Sequence, residues 1–172
     1  MIVMKDNTFL FIQTDLDARK VTGSLSTISN VVWVSPIYGP DRIVAYLESD
    51  GPAEMQAVIN DIRTRRYIKA VDSRRCKVIP GYPDRPGVKF TKAVRACLMI
   101  NVDYHTLQEH DFVAFLKAQP YSVQVRACWG ASDTIALIEA DNNEDLQNIV
   151  CDEIKIYEGV KSLSTRACYK MV

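Results

Sequence analysis

Short, wholly apolar runs alternate along the chain with longer stretches whose apolar residues recur every three or four positions, and the cycle occurs twice. "TFLFIQ" (8–13) and "RACLMIN" (95–101) have the length and composition of strands. Ala18, Val21, Leu25 and Ile28 then mark one face of a helix. In the second cycle Phe112, Val113 and Leu116 do the same, behind "TLQE" (106–109), which has the form of a capping box. "VVWV" (31–34) and "VQVRAC" (123–128) are rich in β-branched residues and predict strands. An aromatic-Gly turn follows each, then an apolar strand at 43–47 and at 134–138, so each pair reads as a hairpin. Asp50 and Asp141 stand where helix N-caps belong, with Glu144 three residues after Asp141. Behind them lie two helical stripes, Met55, Val58, Ile59 and Ile62, and Leu146, Ile149, Val150 and Ile154. Last strands run from 68 to 78 and from 160 to 170.

The two cycles match in order as well as in kind. "VAYLESD" (44–50) falls on "IALIEAD" (135–141), and "IKAVDSRRC" (68–76) falls on "VKSLSTRAC" (160–168). Lys69 then meets Lys161, Arg74 meets Arg166 and Cys76 meets Cys168. Segments that match in sequence order point to a duplication. Each copy reads β-α-β-β-α-β, the ferredoxin-like unit with both helices on one face of an antiparallel sheet. The copies span 1–79 and 93–172, joined by a linker at 80–92 that includes the Pro- and Gly-rich "PGYPDRPG". Because Phe9–Ile12 and Cys97–Ile100 are apolar at every position, the face away from the helices should be buried too. The expected fold class is α+β: two tandem ferredoxin-like units whose sheets pack on each other as a pseudo-dimeric α/β barrel.

Composition narrows function mainly by exclusion. The 172 residues are 48% hydrophobic and 24% charged, with no apolar run long enough to cross a membrane and no signal-peptide pattern at the start. Zero net charge argues against a large footprint on nucleic acid, so no direct DNA binding is expected. Five cysteines without a C-x-x-C spacing predict reduced thiols in a cytoplasmic protein. His105 and His110 are five apart, not the four of a helical metal pair, and no phosphate loop or nucleophile elbow is present. Glu48 and Glu139 read as hydrated carboxylates at strand ends, and Asp133 as a turn residue accepting backbone N–H groups.

The succession of strand, helix, V-x-V strand, Gly-x-x-Asp turn, apolar strand, helix and last strand resembles the ligand-binding (RAM) domain of Lrp/AsnC (feast/famine) regulators. It does so well over 93–172 and less well over 7–79. Trp129-Gly130-Ala131-Ser132-Asp133 fits the family's turn, whereas Gly39-Pro40-Asp41 is one residue short and leaves Arg42 at the matching place. The chain starts directly with the first strand, without the helix-turn-helix such regulators carry. The resemblance implies a non-catalytic sensing protein that binds an amino-acid-like effector at these turns, chiefly the second, and acts on transcription through a regulator partner or as a homo-oligomer. It implies no catalytic residue, metal or cofactor. Two other readings stand beside it: an enzyme of the dimeric α/β-barrel class, such as a small monooxygenase or a haem protein using one histidine, and a pure assembly module.

Overall fold

The computed structural model describes residues 5–77, 90–103, 109–130 and 132–169. The chain divides into two compact units, Met1–Cys76 with Tyr169–Val172, and Lys77–Cys168. Unit 1 runs β1 (Asp6–Thr14), α1 (Ala18–Leu25), β2 (Val31–Pro36), β3 (Ile43–Ser49), α2 (Pro52–Thr64) and β4 (Ile68–Arg75). Unit 2 runs β5 (Val94–Val102), α3 (Glu109–Lys117), β6 (Ser122–Ala127), β7 (Thr134–Ala140), α4 (Asn143–Asn148), a π-helix (Ile149–Ile154) and β8 (Val160–Cys168). Both sheets are antiparallel with equivalent orders, β2-β3-β1-β4 and β6-β7-β5-β8. The fold class is therefore the expected one, α+β with two ferredoxin-like units.

Even the irregularities are duplicated. The β1–β4 ladder slips between Gln13 and Thr14, and the β5–β8 ladder slips between Asn101 and Val102. The β2–β3 ladder slips between Val31 and Trp33, and β6–β7 slips between Ser122 and Gln124. Such bulges bend a strand and re-aim its side chains, so their recurrence supports a common ancestor for the halves.

Period-2 alternation sorts each strand between two faces. In unit 1, Leu10, Ile12, Ile43, Ala45 and Leu47 pack against Val21 and Leu25 of α1 and Met55, Ile59 and Ile62 of α2. In unit 2, Leu98, Ile100, Ala136 and Ile138 pack against Phe112, Val113 and Leu116 of α3 and against Leu146, Val150 and Ile154. Burying each large aliphatic side chain contributes about 1.5–3 kcal/mol. The opposite faces are buried as well: Phe9, Phe11, Val44 and Tyr46 are at most 1% exposed.

Three local expectations are corrected. The N-cap of α2 is Gly51, not Asp50; Pro52 occupies the first helical position, and the Glu54 carboxylate reaches back to accept the Asp50 N–H at 2.8 Å. The N-cap of α4 is Asn142, not Asp141, and it exchanges hydrogen bonds with Asp145 in a reciprocal box. The stripe through Ile154 is α-helical only to Asn148, after which a π-helix carries it, with Lys155 N–H donating to Val150 C=O at 2.8 Å. Residues 106–108 of the expected capping box, and His105, lie outside the described residues. No helix among the described residues is long and apolar enough to cross a membrane.

Candidate functional site

The two aromatic-Gly turns are built alike. Gly39 and Gly130 adopt φ of 125° and 113°, a region that side chains disfavour, so glycine is required at both. Ile37 N–H donates to Arg42 C=O, and Cys128 N–H donates to Asp133 C=O. Arg42 and Asp133 thus hold the same place, and each then ties its turn to a bulge. The Asp133 carboxylate accepts the Val102 N–H at 3.0 Å; the Arg42 guanidinium donates to the Thr14 carbonyl at 3.3 Å. A carboxylate and a guanidinium fasten the same bend with opposite polarity. Ser132 is buried and Asp41 half-buried, while Ala131 lies outside the described residues. Trp129 and Tyr38 are both exposed, and each is covered on one side: the Lys77 ammonium lies 4.3 Å from the Trp129 ring centre, and the Tyr169 ring lies 4.8 Å from that of Tyr38.

Glu139 is not a hydrated strand end. It is 7% exposed and accepts from Thr91 N–H at 2.7 Å, Lys92 N–H at 3.0 Å and the Thr91 hydroxyl at 2.8 Å. Burial alone would push its pKa up, but these donors outweigh it, and the carboxyl sits below its ordinary value. Its role is to anchor the segment entering β5. Glu48 behaves differently, pairing with the exposed Lys5 at 3.6 Å.

The chemistry-bearing surface is the face of the unit 2 sheet away from its helices. One row across the strands runs Gln124, Leu137, Cys97, Arg166, and the next runs Arg126, Ile135, Met99, Ser164. The same rows in unit 1 read Trp33, Tyr46, Phe9, Arg74 and Ser35, Val44, Phe11, Asp72. Unit 1 fills its face with aromatic rings, with Phe9 and Tyr46 5.0 Å apart between centres. Its one guanidinium, on Arg74, is neutralised by Asp72 at 2.8 Å. Unit 2 has Ser164 where unit 1 has Asp72, and Arg166 has no ion pair among the described residues. The Nε of Arg166 and the Oε1 of Gln124 are buried without a hydrogen-bond partner. The Nε of Arg74 in unit 1 is buried without a partner as well, so what distinguishes the two arginines is the Asp72 ion pair that Arg166 lacks among the described residues. Cys97 lies between Gln124 and Arg166, fully buried; burial, more than nearby Cys168, pushes its thiol well above the ordinary value, so it is protonated at neutral pH.

No local motif marks these residues in the sequence. The available signal was the pairing of Arg74 with Arg166 in the repeat, with Asp72 matched by Ser164. Of the two histidines, His110 lies in the first turn of α3 by its backbone.

No protein-family model and no curated protein sequence matches the chain. Solved structures do. The siroheme decarboxylase NirDL is similar over 98% of this chain and 72% of its own, with a TM-score of 0.74 at 8% identity. The same enzyme in co-complex with an iron-uroporphyrin III analogue gives 0.70. Chlorite dismutase from Candidatus Nitrospira defluvii, in complex with imidazole, is similar over 97% of this chain and 92% of its own, with a TM-score of 0.58 at 14% identity. At these identities the likeness is one of fold, that of the dimeric α/β barrels, and it extends over both units. It overturns the resemblance to Lrp/AsnC RAM domains: the neighbours are enzymes, not sensing domains of transcription regulators. The short turn and strand motifs behind that resemblance follow from the ferredoxin-like unit itself, which imposes the same hairpin and caps on proteins of different function.

Proposed function

We propose that the chain is an enzyme of the dimeric α/β-barrel kind that acts on a carboxylate-bearing tetrapyrrole, with Arg166 of unit 2 as the group that meets a ring carboxylate. The observation that carries this is that Arg166 lacks, among the described residues, the ion pair that Asp72 gives Arg74, with the buried, unpartnered Gln124 Oε1 in the same row. The fold neighbours, one a siroheme decarboxylase, supply the ligand class. Uroporphyrin-type rings are edged with carboxylates, and a guanidinium matches a carboxylate with two parallel N–H donors. Arg166 binds one such carboxylate, Arg126 in the adjacent row steers a second, and Gln124 accepts from a donor of the ligand.

The residues of this face fit the rim of the ring rather than its centre. Cys97, held as a neutral thiol, is a poor metal ligand, and among the described residues the two rows of this face offer only the soft thioether of Met99 beside it. This favours a tetrapyrrole handled as substrate over a resident haem. An iron ion in the ring would supply redox capacity; the protein's part is to orient carboxylates in a partly dehydrated setting, where charge-assisted hydrogen bonds strengthen.

The test is an absorbance titration with iron uroporphyrin III and with its fully esterified form. Saturable binding of the free acid but not the ester supports the reading. No spectral change with the acid, or equal binding of the ester, refutes it.

A further inference from the structure

Where β7 runs into α4, unit 2 carries a groove of about 300 Å³ on which the sheet face described above does not draw. Tyr121, Ala140 and Ile149 line it; Lys92 at its edge is paired with Asp141 at 3.8 Å, and Asp145 and Glu153 leave it with net negative charge. Tyr121 is 5% exposed, yet its buried hydroxyl has no hydrogen-bond partner. A buried phenol normally finds one. Burial, and then the nearby Glu153, push that phenol up to about 12, so it keeps its proton at neutral pH.

Unit 1 shows what is missing. Glu48 N–H donates to the Asn30 carbonyl as Glu139 N–H donates to that of Tyr121, so Asn30 and Tyr121 hold equivalent places. The Asn30 amide nitrogen donates to the Glu48 carbonyl at 3.0 Å and to the Glu54 carboxylate at 3.5 Å. Glu54 and Asp145 are likewise equivalent, both three residues after the N-caps Gly51 and Asn142. In unit 2 tyrosine stands in the place of Asn30: Asp145 takes its amide N–H from Asn142 instead, at 3.1 Å, and the Tyr121 hydroxyl is left facing the groove without a partner. Among the described residues no group of three or more donors is placed to hold a metal ion, which disfavours chelation.

We propose that this groove binds a small organic cation, an alkylammonium. Its N–H groups would face Glu153 and Asp145 and donate to the Tyr121 oxygen, and its alkyl chain would rest on Ala140 and Ile149. The ammonium supplies the partner that the Tyr121 hydroxyl lacks within the protein.

The experiment is calorimetry on the full chain with butylamine and butane-1,4-diamine, and with butyrate as the anionic counterpart. Amine binding is expected, weakened about tenfold by Glu153→Gln and similarly by Tyr121→Phe. Ligand-free Tyr121→Phe should melt no lower than the parent, because its hydroxyl has no partner to lose. The proposal is overturned if neither amine binds, if butyrate binds as well, or if both variants bind unchanged. A clear fall in the melting temperature of ligand-free Tyr121→Phe would also overturn it, by showing that the hydroxyl is already satisfied within the protein.

Discussion

The same rows of the two sheets, cast on the same backbone, have gone in opposite directions. In unit 1, Trp33, Tyr46, Phe9 and Phe11 fill the face, and Asp72 neutralises Arg74. In unit 2, smaller or flexible residues replace the rings, and Ser164 leaves Arg166 without that carboxylate. The ladder order and all four register slips are shared. Fold requirements therefore do not explain the difference. One copy has an aromatic face, and the other carries polar groups to which we assign a ligand.

If unit 1 is the stability face, truncation there should cost most. Phe9→Ala is expected to destabilise the chain by about 3–5 kcal/mol in urea unfolding, the usual cost of emptying a buried aromatic site. Cys97→Ala, at the equivalent place, should cost about 1 kcal/mol, because far less volume is removed. Equal costs would dissolve the contrast between the faces.

The two strand-end glutamates sharpen it next. Glu139→Ala strands two backbone N–H groups and a hydroxyl, and should cost about 2–3 kcal/mol; Glu48→Ala loses a surface ion pair and should cost less than about 1 kcal/mol. The Glu139 effect carries a pH signature. Its folded pKa lies below the ordinary value, so its contribution is fully present above the unfolded value near 4.5 and is lost as pH falls through the folded one. The stability difference between parent and Glu139→Gln should shrink on acidification and not at alkaline pH. Stability curves that stay parallel down to pH 3 would contradict this.

A third prediction restores symmetry. Ser164→Asp gives Arg166 the carboxylate that Asp72 gives Arg74, and should weaken iron uroporphyrin III by about tenfold, roughly 1.4 kcal/mol, without loss of stability. Unchanged affinity would show that Arg166 is not the anchor. The smallest effect is expected at the turns. Asp133→Ala loses a charge-assisted bond to a bulge N–H and should cost about 1–1.5 kcal/mol. Arg42→Ala, on an exposed residue at a longer distance, should cost a few tenths of that. Thermal melts of the two variants decide the order.

How far these features could be read from the sequence depended on how local their causes are. Strands and helix faces follow from apolar period, which is why β3 and β7 begin at Ile43 and Thr134 as expected. The caps moved by one residue because Gly51 with Pro52, and Asn142 with Asp145, compete with the neighbouring aspartates, and only geometry selects between them. The site was less legible. Asp133 was legible as a turn residue that accepts a backbone N–H, but not that the donor is Val102, a contact across 31 residues. The lack of an ion pair at Arg166 among the described residues depends on strand register and on the serine at position 164, which no motif displays.

The central claim, that Arg166 and not its twin Arg74 receives a ligand carboxylate, is tested most directly by one pair of titrations. Iron uroporphyrin III is added to Arg166→Leu and to Arg74→Leu, each shown to be folded, and binding is followed by absorbance. Losing a hydrogen bond to a charged group predicts an affinity at least about tenfold weaker for Arg166→Leu. Arg74→Leu should bind as the parent does. Equal affinities in the two variants, or a loss confined to Arg74→Leu, would contradict the account.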